Sequence, residues 1–104
     1  MIAMETGAYE AAESARLAAV AALRSARLDD LADRLEVIGP VTDVQSATRA
    51  AVRAEDVADI AALIVAYASP YATDLASANA AAAATYAFLV AAAASRLIQR
   101  GPRP

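Results

Sequence analysis

The sequence predicts an all-α protein: three long antiparallel helices in an up-down-up bundle, completed by oligomerisation. Three observations carry this. Alanine supplies 33 of the 104 residues, with Leu and Arg next at nine each, and these are the strongest helix formers. Turn punctuation occurs only at Gly39-Pro40, at Ser69-Pro70 and at the terminal Gly101-Pro102-Arg103-Pro104. No stretch sustains the two-residue alternation of β-branched residues that a half-buried strand needs. The length suits one domain over 1–104. Leu, Ile, Val and Phe together number only 23, so the core must be thin.

The first helix is predicted over about 5–37. Thr6 is its candidate N-cap, and Glu5 and Glu10 lie near its positive end. Leu17, Val20, Leu28, Leu31, Leu35 and Ile38 recur at three- and four-residue steps, with Ala21 and Arg24 filling the middle, and read as one buried stripe. Asp30 and Arg34 form an i,i+4 pair on the outer face. Gly39 suits the position just beyond a helix end, and Pro40 forbids continuation.

The second helix is predicted over 43–68, with Thr42 or Asp43 as N-cap and a short break allowed near Glu55 or Asp56. Val44, Ala47, Ala51, Ala54, Ala58, Ala61, Val65 and Ala68 form a seam with a seven-residue repeat. Alanine there lets two helix backbones approach closely, and Val52, Val57, Ile60 and Ile64 lie beside it. The third helix is predicted over 70–100, with Ser69 as N-cap, Pro70 at the first helical position, Arg96 and Arg100 near the negative end, and a short tail over 101–104.

Charge is unevenly divided. From Ile60 to Ser95 the only formal charge is Asp74, and Ala80–Ala84 and Ala91–Ala94 are alanine on every face. A helix apolar all round is buried on several sides, and three helices cannot surround their own third member. A second copy or a larger protein is the expected cover. Leu75–Ser95 is also long enough to cross a bilayer and is followed by Arg96, Arg100 and Arg103, but its few large residues make lipid the weaker reading.

The missing residues narrow the chemistry. There is no Cys, His or Trp, which removes thiolate and imidazole catalysis, disulfides, and cysteine or histidine metal sites. Three scattered glycines cannot build a phosphate-cradling loop. A pI near 4.7 weighs against nucleic acid as partner, and no cofactor or metal is expected. Asp29-Asp30-Leu31-Ala32-Asp33 spells the DDxxD pattern of prenyltransferases and terpene synthases, in which carboxylates on one helical turn hold magnesium diphosphate. A solvated acidic face is the simpler reading, since no second acidic motif occurs. Arg49 and Arg53 form a basic i,i+4 pair suited to a phosphate or a partner's carboxylate, or to ion pairing with Glu55, Asp56 and Asp59. Tyr67, Tyr71, Asp74 and Tyr86 are the candidate lining of a pocket between the second and third helices, which would make the chain a small-molecule-binding protein or a small enzyme; Asp74 alone also suits the first turn of the third helix.

Two fragments resemble secreted actinobacterial helical-hairpin proteins of the type VII (PE and PPE) kind. Gly7-Ala8-Tyr9-Glu10-Ala11-Ala12-Glu13 resembles their YxxxE secretion signal, and Ala68-Ser69-Pro70-Tyr71 resembles a PPE helix start. The order differs, because in that family the signal follows the hairpin, and no WxG turn is present. The resemblance implies a non-classically secreted hairpin protein. Residues 1–13 hold three carboxylates and no basic residue, unlike a signal peptide, so the cytoplasm is the expected location otherwise. The function these readings favour is a non-catalytic helical assembly or interaction module. It would self-associate or dock on a larger protein, with Ile60, Ile64, Tyr86, Phe88 and Leu89 as anchors.

Overall fold

The computed structural model describes residues 2–67 and 75–98, with side chains placed over 7–67 and 75–96. Within them the chain is predominantly helical, without a strand, in four helices: α1 (Ile2–Ser25), α2 (Asp29–Glu36), α3 (Val44–Ala66) and α4 (Leu75–Ile98). The predicted first helix is therefore two. α1 already begins at Ile2, so Thr6 lies inside it and does not cap it.

The break is built by hydrogen bonding rather than by Gly or Pro. Leu28 N–H donates to Leu23 O at 2.9 Å and Arg27 N–H to Arg24 O at 3.0 Å, which is a Schellman closure. Arg27 holds the left-handed position at φ 65°, where glycine is usual. Leu28 follows and packs half-buried against the core that holds Leu23, the apolar contact that accompanies this motif. Asp29 and Asp30 then place two carboxylates in the first turn of α2, where the helix dipole favours them.

α2 doubles back on α1. Going down α1, Arg24 reaches Asp29, Asp33 and Glu36, Arg16 reaches the carbonyls of Leu35 and Glu36, and Glu13 reaches Val41. The second reversal follows the sequence expectation: Gly39 sits at φ 81° and Pro40 blocks extension. Asp43 then caps α3 by accepting from Ser46 N–H at 2.8 Å, while Ser46 Oγ accepts from Asp43 N–H at 3.0 Å. This double bond fixes where α3 begins. α3 is continuous through Glu55 and Asp56, with no break there.

α3 packs on α2 with Thr48 and Val52 near Val37 and Ile38, and with Ile60 and Ile64 near Leu28 and Leu31. It thus runs parallel to α1, opposite to the predicted arrangement, because the extra reversal at Arg27 intervenes. α4 packs along both α3 and α1. The link from Tyr67 to Leu75 spans at most about 29 Å, less than the roughly 34 Å length of α3, so α4 must run antiparallel to α3. Each helix therefore packs against its neighbours in the chain, and α4 closes back on α1. The result is an elongated up-down-up-down arrangement, 57 × 18 × 17 Å, in which one member is only eight residues long.

Three seams of period seven make the core. On α1 it is Tyr9, Ala12, Arg16, Ala19, Leu23 and Ala26. On α3 it is Ala47, Ala51, Ala54, Ala58 and Ala61, with Ala50 and Val57 beside them; the outer members Val44 and Val65 are half-buried. On α4 it is Ala78, Ala81, Thr85, Phe88, Ala92 and Ser95. Small side chains at these positions allow close helix approach, as the repeat on the second predicted helix implies. The buried hydroxyls are satisfied within α4, Thr85 Oγ1 donating to Ala81 O at 2.8 Å and Ser95 Oγ to Ala92 O at 3.0 Å. The expected stripe on the first helix is corrected at three positions. Leu17 points outward at 56% exposure and Ala21 and Arg24 lie on the surface, while Arg16 and Leu23 take the buried places.

Candidate functional site

Charged side chains within the described residues converge at two places, and both belong to the α1–α2 hairpin. The first is Arg16, only 6% exposed. Its Nε and Nη2 donate to the Glu13 carboxylate at 2.9 and 2.6 Å, and Nη1 donates to Leu35 O and Glu36 O at 3.2 and 3.3 Å. The Arg16 bonds, aided by Val41 N–H, hold the Glu13 carboxyl below its ordinary range, and Glu13 in turn raises the Arg16 guanidinium. Arginine suits this seam position because its planar fork serves a carboxylate and two orphan carbonyls at the end of α2 together. The arrangement is a brace.

The second is Arg24, which lies 3.4 Å from Asp29, 2.9 Å from Asp33 and 2.6 Å from Glu36. This places a cation of the chain itself over the DDxxD carboxylates. No group of three or more carboxylates among the described residues is arranged to hold a metal ion. Asp30 and Arg34 do not close to an ion pair; the four ion pairs among the described residues all involve Arg16 or Arg24.

Of the candidate pocket, Tyr71 and Asp74 lie outside the described residues, as do Ala68, Ser69, Pro70, Arg100 and the tail 101–104. Tyr67 ends α3 at 83% exposure and Tyr86 stands in mid-α4 at 61% exposure. No described cavity joins the two. Clefts lie elsewhere on the surface, among them one of about 420 Å³ lined by Leu28, Leu31, Ile60 and Ile64 together with Arg27 and Arg34, and one of about 490 Å³ lined by Tyr9, Leu17, Pro40 and Val41 with Glu10 and Glu13. Tyr9 and Glu13, the resembled secretion signal, are both drawn into the fold, Tyr9 as a buried seam residue and Glu13 as the brace carboxylate.

The candidate interface residues divide. Phe88 is wholly buried and belongs to the chain's own core. Ile60, Ile64 and Leu89 are half-buried and packed against that core, so each offers only an edge. Tyr86 is free to contact a neighbour. It stands at the middle of a stripe that the pattern of bulky residues did not delimit: Ala76, Asn79, Ala80, Ala83, Tyr86, Ala87, Val90 and Ala94 are the exposed positions of α4, and none carries a charge. α1 and α3 cover the opposite side. The segment Leu75–Arg96, 22 residues, is long and apolar enough to cross a membrane by length and composition.

Comparison with protein-family models, curated proteins and solved structures finds no match.

Proposed function

We propose that this chain is a non-catalytic helical assembly module that self-associates through the outer face of α4. One observation carries the reading. The inner seam of α4 is already filled by α1 and α3, yet its outer side leaves an uncharged face the length of the helix in water, with Tyr86 and Val90 as the large residues. A soluble chain normally places charge on such a face, and apolar stripes of this extent mark contact surfaces. Alanine on both sides of the contact would allow a short interaxial distance, and Tyr86 near its centre supplies an amphipathic anchor. The α4 face alone is about 36 Å long and roughly 10 Å wide, below the area of a standard stable interface, so the association is reversible and concentration-dependent.

A lipid surface is the second reading, favoured by the length of the apolar segment. Analytical ultracentrifugation of the full chain in detergent-free buffer tests both. A discrete multimer that Ala83→Glu converts to monomer supports assembly through α4. A monomer that pellets with neutral phosphatidylcholine vesicles, and loses this on Ala83→Glu, moves the face to lipid. A monomer that binds no vesicles overturns the proposal.

A further inference from the structure

The end of α2 and the first half of α3 meet over a cleft of about 340 Å³ lined by Val37, Ile38, Thr48, Arg49, Val52 and Arg53. Its floor is apolar yet open to water: Val37 is 75% exposed and Val52 58%, and Ile38 beside them packs on the core. Exposed aliphatic side chains are ordinary when scattered singly; gathered in one concavity they mark a contact surface. On the α3 wall stand Arg49 and Arg53, one turn apart and both exposed. Like charges at i,i+4 repel, and among the described residues no carboxylate lines the cleft to relieve them. The acids nearby are committed elsewhere or stay apart. Asp43 accepts from Ser46 N–H, Glu36 in the last turn of α2 is taken by Arg24 at 2.6 Å, and Glu55, Asp56 and Asp59 close no ion pair with either arginine. Thr48 Oγ1 donates to Val44 O at 2.8 Å, so the two guanidinium groups are the side-chain donors left in the cleft.

We propose that this cleft binds a small amphipathic carboxylate, the anion of a medium-chain fatty acid. The head sits between Arg49 and Arg53, whose planar forks match the two oxygens of a carboxylate, and the chain lies on Val37, Ile38 and Val52. Two observations select this chemistry together. Two arginines with no acid beside them select an anion over a cation or a neutral molecule. The apolar floor selects against a bare anion such as phosphate, which would lose hydration over Val37 and Val52 without a bond in return. The volume, at the low end of the range for small-molecule sites, suits a chain the length of octanoate rather than a whole lipid. Both walls are held in place before any ligand arrives. Arg16 holds the Leu35 and Glu36 carbonyls just before Val37, and the Asp43–Ser46 cap fixes the start of α3. The site uses α2 and α3, and does not depend on self-association through α4.

Calorimetric titration of the full chain with sodium octanoate, below its micelle concentration, tests this. Saturable binding of one octanoate per chain is expected, at least tenfold tighter than butanoate, because each added methylene covers more of the floor. Octanol, which keeps the chain and lacks the charge, should bind at least tenfold more weakly. Arg49→Gln and Arg53→Gln should each weaken octanoate at least threefold and together at least tenfold, and Val52→Ser should reduce the preference for the longer chain. Helical circular dichroism should not change, since all three residues are exposed. Arg34→Gln removes an exposed arginine outside the cleft and should leave binding as it is, and so should Ala83→Glu on α4. Octanoate heat that does not saturate, or that the arginine variants leave unchanged, overturns the proposal. Equal affinity for octanoate, butanoate and inorganic phosphate would reduce the pair to a plain anion site and also overturn it. Loss of octanoate binding in Ala83→Glu but not in the arginine variants would move the ligand to α4 and end the case for this cleft.

Discussion

Arg16 and Glu13, one turn apart on α1, meet through hydrogen bonds of 2.6 and 2.9 Å, and each then reaches a different part of the hairpin. Arg16 holds the carbonyls that end α2, and Glu13 accepts from Val41 N–H at 3.0 Å in the loop beyond. One pair therefore fixes both the angle of α2 and the path to the start of α3. A short helix such as α2 has little stability of its own. Its eight residues stay in place through this brace and through the burial of Leu31, Ala32 and Leu35.

Arg16→Met keeps the aliphatic length but removes the guanidinium donors from the Glu13 carboxylate and from the Leu35 and Glu36 carbonyls, while Glu13 keeps Val41 N–H and Glu36 O keeps Gly39 N–H. The expected loss is about 3 kcal/mol, at the lower end for a broken buried pair because Glu13 keeps some access to water. Glu13→Gln should cost less, and a double-mutant cycle in urea should return a coupling of about 1–2 kcal/mol. A coupling near zero would mean that the two residues act separately.

Acid should loosen the molecule from the same end. The Glu13 carboxyl is held low first by Arg16, and that of Asp43 first by the Ser46 backbone N–H. A group whose folded-state pKa is depressed contributes stability above its unfolded pKa and loses it as the pH falls through the folded value. The urea midpoint should therefore be flat from about pH 6 to 8 and fall below about pH 4. Glu13→Gln should shallow that fall. Asp43→Asn should do the same while keeping the cap, since Asn caps as well as Asp. An acid limb unchanged in both variants would place the linkage elsewhere.

Leu23 and Leu17 lie on the same helix and are indistinguishable by hydropathy, yet their truncations should differ severalfold. Leu23→Ala opens a cavity at a wholly buried seam position and should cost about 3 kcal/mol. Leu17→Ala removes a side chain that is more than half in water and should stay within about 0.5 kcal/mol. Chemical denaturation of the two variants decides between this stripe and the one drawn from bulky residues alone.

That contrast shows where the sequence was readable. The cap at Asp43, the turn at Gly39-Pro40 and the alanine seam of α3 were legible because each has a local cause: a side-chain acceptor, a φ that only certain residues adopt, a repeat of small residues. The α1 seam was hidden because Arg16 occupies a core position through bonds to residues about twenty places away, which periodicity cannot register. The α4 seam was hidden differently: alanine on every side leaves no moment, so which face turns inward is decided only by the helices that arrive against it. The reversal at Arg27 left one trace, the consecutive acids Asp29 and Asp30. Paired carboxylates following a leucine are a helix-start signal, but with no Gly or Pro before them the sequence pattern carries no turn at this point.

Arg27 gives the last prediction, and its sign separates two accounts of the break. At φ 65° the residue stands where an L side chain is disfavoured by roughly 1–2 kcal/mol, while the bonds from Arg27 and Leu28 back into α1 require that conformation. Arg27→Gly removes the steric cost in the folded chain and adds backbone freedom to the unfolded one. The first exceeds the second, so the variant should gain up to about 1 kcal/mol. Arg27→Val, β-branched at the same φ, should lose stability by at least as much. If both variants instead favoured a single uninterrupted helix, the gain from Gly would become a loss, because Gly inside a helix costs about 1 kcal/mol relative to Ala. Thermal melts of the two variants beside the parent chain distinguish a turn that the sequence holds open from a helix that merely bends there.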